Sequence, residues 1–165
     1  MTGLTKIDRV TARRVWDSRG RPTVEADVIL QNGNIGRAIA PAGASTGSGE
    51  AIDLRDGGTK LAGFDVTTAI DNINSVISPA LSGLVASDQT SVDHTLLDLD
   101  GTDNKANLGG NAMIAVSMAT LHAAAQQQPL WQFLLAGTAP LIPLPEIQIF
   151  GGGAHAGRRV DIQDF

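Results

Sequence analysis

The sequence predicts an α+β domain, a three-stranded antiparallel meander followed by helices. Three observations predict it. Apolar residues alternate with a period of two up to about residue 40, and they recur at spacings of three and four from about residue 65. The strands also come first and the helices after, where a parallel α/β sheet would alternate them.

Each element has its own signal. Ile7 to Trp16 reads as a first strand, ended by the turn-forming run Asp17-Ser18-Arg19-Gly20-Arg21-Pro22. Val24, Ala26, Val28 and Leu30 alternate with Glu25, Asp27 and Ile29, the pattern of a half-buried strand. Asn32-Gly33 follows, a dipeptide that tolerates the positive φ of a tight hairpin, and Ile35 to Ala40 forms the return strand. Val66, Ile70, Ile73, Ile77 and Leu81 then share one helical face, with Asp65 as the expected N-cap. Pro79 is expected to break or kink the last turn of this helix, and Gly83 to end it. Asp88 is placed to cap a second helix carrying Val92, Leu96 and Leu99. A third helix, Leu108 to about Gln127, is rich in small residues (Ala112, Ala115, Ala119, Ala123) and suited to close packing. Pro129 fits the first turn of a fourth, Leu130 to Leu135, stopped by Gly137. The proline-rich stretch 139–145 is a stiff connector. Beyond it, Glu146 to Phe150 and Val160 to Phe165 read as strands around a glycine-rich turn. The expected division is a domain over 1–138, with a connector and the start of a second domain over 139–165.

Composition narrows the function classes. The 165 residues carry 12 Lys+Arg against 17 Asp+Glu, a net charge of −5, without the basic excess that phosphate-backbone binding needs. Cysteine is absent, which excludes disulfides, thiolate metal sites and cysteine nucleophiles. The 42% of hydrophobic residues support a real core, built from aliphatic side chains because aromatics are only 4%. The start, MTGLTKIDRV, has no apolar signal region, and the stretch 112–125 is too short and too interrupted to cross a bilayer. A soluble, cytoplasmic protein is the expectation. The 19 glycines point to segments with unusual backbone demands.

Two glycine-rich loops stand out. Pro41 to Glu50 combines three glycines with Ser45, Thr46 and Ser48, and suits either a ligand-covering segment or a flexible connection. It lacks the Gly-Lys-Ser/Thr ending of a phosphate-binding P-loop. Gly151 to Ala156 formally matches G-x-G-x-x-A, but a strand pattern follows where a dinucleotide fold needs a helix. His155, Arg158, Arg159, Asp161 and Asp164 crowd this turn, as an anion-binding site or as an ordinary solvated turn. Asp98 to Lys105 has no glycine at the sixth position and no glutamate at the twelfth, so it reads as a helix-ending turn with capping carboxylates, not a calcium loop. His94 and His122, on helical segments, read as packed or capping residues, and Asp17 is expected to pair with Arg19 inside its turn.

Taken together, these segments resemble the amino-terminal part of the enolase family, the phosphopyruvate hydratases. The resemblance rests on Asp17-Ser18-Arg19-Gly20 with Pro22-Thr23-Val24-Glu25, Gly43-Ala44-Ser45-Thr46-Gly47 with Glu50-Ala51, and Leu54-Arg55-Asp56-Gly57. It continues through Pro79-Ala80-Leu81, Asp88-Gln89, Leu99-Asp100-Gly101-Thr102 with Asn104-Lys105, and Leu108-Gly109 with Asn111-Ala112. It ends on Gly152-Gly153-Ala154-His155-Ala156 and Asp161-Ile162-Gln163-Asp164-Phe165.

The resemblance implies a capping domain followed by the first strands of an α/β barrel of the TIM type, and a magnesium-dependent lyase converting 2-phosphoglycerate to phosphoenolpyruvate. It implies that Ser45 ligates magnesium, that His155 is catalytic, near the substrate phosphate and leaving hydroxyl, and that Gln163 and Asp164 face the substrate. Gly43 and Ala44 also bind substrate in this reading, and the loops around Ser45 and His155 form opposite walls of one active site. Glu25 matches a residue at a dimer contact, so a homodimer or higher homo-oligomer is expected. The catalytic glutamate, the lysine base and three carboxylate metal ligands lie farther along in the family. The 165 residues are therefore expected to be part of a longer enzyme and inactive alone. Gln148 and Gly151 stand where the family has asparagines, Ala154 where it has serine, and Asp164 where it has glutamate. These departures fit either a tolerated variant or a paralogue acting on a related phosphonate or carboxylate. A non-catalytic, stand-alone capping domain is the other alternative.

Overall fold

The computed structural model describes residues 5–43, 46–126 and 128–162. Strands β1 (Ile7–Trp16), β2 (Pro22–Leu30) and β3 (Ile35–Ala40) form one antiparallel sheet in the order 1-2-3, the predicted meander. The β2–β3 hairpin differs in detail from the expected tight turn. Gly33 N–H donates to Leu30 O at 2.8 Å, and of Asn32-Gly33 only Gly33 is left-handed, with φ of 85°. Asn32 serves instead as an acceptor, its Oδ1 taking Asn34 N–H at 3.0 Å.

Alternation in β2 predicts one wet face, yet nearly every residue of β2 is buried. Its inner residues Val24, Ala26, Val28 and Leu30 enter the core. On the outer face Glu25 and Asp27 are each only 8% exposed, because arginines from both neighbouring strands lie over them. The register sets Arg13 opposite Glu25 and Arg37 opposite Asp27. Arg13 pairs with both carboxylates, and Arg37 Nε approaches Asp27 Oδ1 at 2.6 Å. The hydrogen bond from Arg37, with that from Arg13, outweighs burial and holds the Asp27 carboxyl below its ordinary pKa.

The helical layer follows. Helix α1 (Thr67–Asn72) continues through a π-helical turn (Ile73–Ile77) into α2 (Ser78–Leu81). Pro79 therefore does not break the helix: the wider π turn immediately before it gives the ring room against the preceding carbonyls. Val66, Ile73, Ile77 and Leu81 are fully buried, as their spacing predicts, and Ile70 packs half-buried against the same core. Asp65, expected to cap this helix, does not. Val66 occupies the cap position, and the free N–H groups of Thr67 and Thr68 donate to the Asp56 carboxylate at 2.8 and 2.9 Å. Asp65 turns inward to an ion pair instead. Helices α3 (Gln89–Asp100), capped by Asp88, and α5 (Leu130–Leu135) match expectation. Helix α4 (Gly110–Ala125) starts two residues later than expected.

Two features place α4 and protect the sheet. Helix α4 lays Ala112, Ala115, Ala119 and Ala123 across β2 and β3, which answer with Ala26, Gly36, Ala38 and Ala40. Small residues on both sides bring backbone close to backbone. On the opposite edge, the N–H groups of Val10 and Ala12 would stand open. Ser78 Oγ and Asn74 Oδ1 accept from them, each at 2.9 Å, so helical side chains close the edge of β1.

The expected strands over 146–150 and 160–165 do not form among the described residues. A strand needs a neighbour for its N–H and C=O groups, and none of the three described strands pairs with these segments. Residues 163–165 lie outside the described residues. Leu141, Ile142 and Leu144 of the connector are more than 89% exposed, the reverse of core behaviour. Among the described residues no helix is long and apolar enough to cross a membrane.

Candidate active site

The site is built where the β1–β2 turn, the end of β3 and the N-terminus of α4 meet. Asp17 organises the first of these. Its Oδ1 accepts the N–H groups of Arg19 and Arg21, both at 2.8 Å, while Gly20 takes a φ of 71°. The hydrogen bonds from Arg21 and Arg19 hold the Asp17 carboxyl below its ordinary pKa. The expected pairing with Arg19 is thus made through main-chain N–H. The Arg19 guanidinium reaches across the turn to donate to Ala42 O at 3.2 Å, at the start of the first glycine-rich loop.

Of that loop, Gly43 lies on the groove described below, whereas Ala44 and Ser45 lie outside the described residues. Past them, Gly47 N–H donates to Glu50 Oε1 at 2.7 Å and Glu50 N–H returns to Gly47 O. The chain then runs along α4. Ile52 O accepts Gly110 N–H at 2.7 Å, and the Asn111 side chain bonds both N–H and C=O of Leu54, at 3.2 and 3.1 Å. Asn111 thereby stands in for a neighbouring strand. Glycine is needed beside it: a Cβ on Gly109 or Gly110 would come within 2.6 or 2.9 Å of Leu54 or Ala51.

Arg55 ties three segments together. Its guanidinium donates to Asp53 at 2.8 Å, to Pro22 O at 2.5 Å and to Phe64 O at 2.9 Å. Phe64 ends a tight turn in which Leu61 and Ala62 take left-handed φ values of 50° and 54°. That conformation costs energy for side-chain-bearing residues. The turn is held by Asp65, which is fully buried with Arg14 at 2.6 Å and Lys60 at 2.7 Å on its two oxygens. The Lys60 and Arg14 contacts hold its carboxyl well below the usual carboxylate range.

These segments enclose a groove of about 800 Å³. Ile39, Ile114 and Met118 give it an apolar side, and Gly43, Thr46 to Ser48, Glu50 to Asp53, Arg21 and Phe64 line the rest. The turn at Asp100 supports the reading of capping carboxylates, the Asp100 oxygens accepting the N–H groups of Thr102 and Leu108. Burial raises the Asp100 carboxyl, but hydrogen bonds from Leu108, Thr102 and Asn107 outweigh it and leave its pKa lowered.

The second glycine-rich loop stands apart. The backbone of Gly153–Ala156 forms one short 3-10 turn, closed by Gly153 N–H on Val160 O at 2.8 Å. Gly152 is required there, since a Cβ would meet Ile162 O at 2.0 Å. The His155 side chain, Gln163 and Asp164 lie outside the described residues, and no described residue of 139–162 lines the groove. His94 and His122 are exposed. Glu25 sits under Arg13 on the far face of the sheet. Among the described residues no three His, Asp or Glu side chains are arranged to hold a metal ion.

A family model, the N-terminal domain of enolase, matches residues 7–134. The chain belongs to the enolase family. The match covers the sheet, helices α1 to α4, all but the last residue of α5 and the whole groove, so groove and loop are features of an enolase N-terminal domain. It supports reading the full-length protein as an enolase-family lyase. Asn111, Arg55 and the Arg21–Phe64 pair were not singled out from the sequence as parts of a site. The signals for Asn111 are its place in a segment that carries the resemblance and after Gly109-Gly110, glycines that admit a neighbouring chain.

Proposed function

We propose that this enolase N-terminal domain supplies the loop-bearing wall of an active site that dehydrates 2-phosphoglycerate to phosphoenolpyruvate. The observation that carries the reading is the groove bounded by the Gly43 loop in a chain whose residues 7–134 match the enolase N-terminal model. The reaction removes the proton α to a carboxylate and then expels hydroxide, so negative charge accumulates that donors and cations must offset. In this reading the loop carries Ser45 toward magnesium, whose chemistry is to stabilise that charge. In the same reading the base and the carboxylate ligands lie farther along, as the resemblance implies. His155, Gln163, Asp164, Gly43 and Ala44 keep the substrate-facing roles that the resemblance implies. A cytoplasmic homodimer, with Glu25 near its contact, completes the proposal.

The test is turnover by the protein expressed from the complete reading frame, with magnesium, on 2-phosphoglycerate and on its phosphonate analogue. The expected result is preference for 2-phosphoglycerate, with no turnover by the 165 residues alone. Preference for the phosphonate favours the paralogue reading, supported by Gln148, Gly151, Ala154 and Asp164. No lyase activity on either overturns the proposal.

A further inference from the structure

Seven arginines lie between residues 5 and 126. Arg9, Arg13, Arg14, Arg37 and Arg55 each pair with a carboxylate. Among the described residues Arg19 and Arg21 do not, and both stand at the groove, Arg21 in its lining and Arg19 on Ala42 O. A chain of net charge −5 thus keeps two arginines whose guanidinium groups make no direct ion pair at one place, with Asp17 as the carboxylate whose charge they feel.

Local geometry holds Arg21 ready. Its guanidinium lies 4.7 Å over the Phe64 ring. Phe64 is itself a fixed platform: Arg55 binds its carbonyl, its N–H bonds Leu61 O at 3.1 Å, and the Lys60–Asp65 pair spans the turn beneath. Stacking covers one face of the guanidinium but leaves its in-plane N–H donors available, the arrangement that suits bidentate contact with an oxyanion. The nearby carboxylates are already engaged, Asp17 by the main-chain N–H groups of Arg19 and Arg21, Glu50 by Gly47 N–H and Asp53 by Arg55.

We infer that Arg21, stacked on Phe64 and assisted by Arg19, is an oxyanion-binding residue of the groove. It takes a carboxylate or phosphate group of the ligand and contributes to specificity by requiring that negative charge. The inference builds on the groove proposed above as the active-site wall.

The experiment titrates the 165-residue chain with inorganic phosphate at low salt, following backbone amide NMR shifts. The expected result is saturable shifts at Arg21, Gly43 and Phe64. Arg21→Gln weakens this binding about tenfold or more, as loss of a charge-assisted hydrogen bond requires. Arg21→Lys, which keeps charge but loses the planar fork, recovers only part of it, and Phe64→Leu weakens it several-fold. Arg9→Gln, at an exposed pair on β1, leaves it unchanged. Shifts that do not saturate, or equal binding by Arg21→Gln and wild type, would overturn the inference. The titration decides this inference and the lyase assay decides the proposed function. Phosphate binding lost in Arg21→Gln, with no lyase activity, would leave the anion site standing and remove the function. Lyase activity with phosphate binding indifferent to Arg21 would do the opposite.

Discussion

Gly36→Ala is expected to destabilise the domain by about 3 kcal/mol, the upper end of ordinary overpacking penalties. A Cβ on Gly36 would lie 2.1 Å from both Ala119 O and Ala123 N, and 2.7 Å from Ala123 Cα. These are backbone atoms of α4, so no side chain can rotate out of the way. Relief requires moving the helix off the sheet, which reopens the contacts of Ala112, Ala115 and Val116 with the core. A loss of that size is a large fraction of the 5–15 kcal/mol that stabilises a typical domain. Gly49→Ala, whose Cβ would meet nothing within 4 Å, is the control and is expected to leave the urea midpoint unchanged. A Gly36→Ala midpoint equal to wild type would mean that α4 does not pack this closely on β3.

The second large effect is at Asp65. Asp65→Asn leaves Arg14 and Lys60 facing a neutral amide in a buried position, and the expected fall in melting temperature is on the order of 10 °C. Arg14 and Lys60 are themselves 37% and 70% exposed, so water takes back part of their charge and keeps the loss from being larger. The pH dependence follows from the direction of the shift. Because the folded-state pKa of Asp65 is depressed, its contribution is present above the unfolded carboxylate pKa of ~4 and is lost as pH falls below it. Asp17, Asp27, Asp56 and Asp100 are shifted the same way and add to the acid limb. Thermal melts from neutral pH downward should show little change until about pH 4 and then a steep fall. The fall should be shallower in Asp65→Asn. An identical acid limb in the variant would show that Asp65 is not the dominant carboxylate.

The meander and the buried helical faces were legible because each is a local signal. Alternation over β2 and the three-four spacing of Val66, Ile70, Ile73, Ile77 and Leu81 are read within one element. What escaped depends on distant partners. A carboxylate just before a helix reads as its cap, yet Asp65 belongs to Arg14, and the cap arrives from Asp56, eleven residues upstream of Thr67. The outer face of β2 reads as wet until register brings Arg13 and Arg37 over Glu25 and Asp27. Gly36 shows no sign in the sequence that a helix backbone will lie against it. The strands expected after residue 145 need neighbours that the described residues do not provide. The site was legible in part. The Gly43 loop borders a groove, but the pinning by Asn111 and the stacking of Arg21 on Phe64 emerge only when separate segments meet.

The central claim, that this loop forms one wall of an enolase active site, is tested most directly at Ser45. The measurement is kcat on 2-phosphoglycerate for the complete reading-frame product and for its Ser45→Ala variant, each at saturating magnesium. The account predicts clear turnover by the parent and a loss of about 100-fold or more in the variant, the scale for removing a group that acts on developing charge. Unchanged kcat in Ser45→Ala, alongside an active parent, would contradict it.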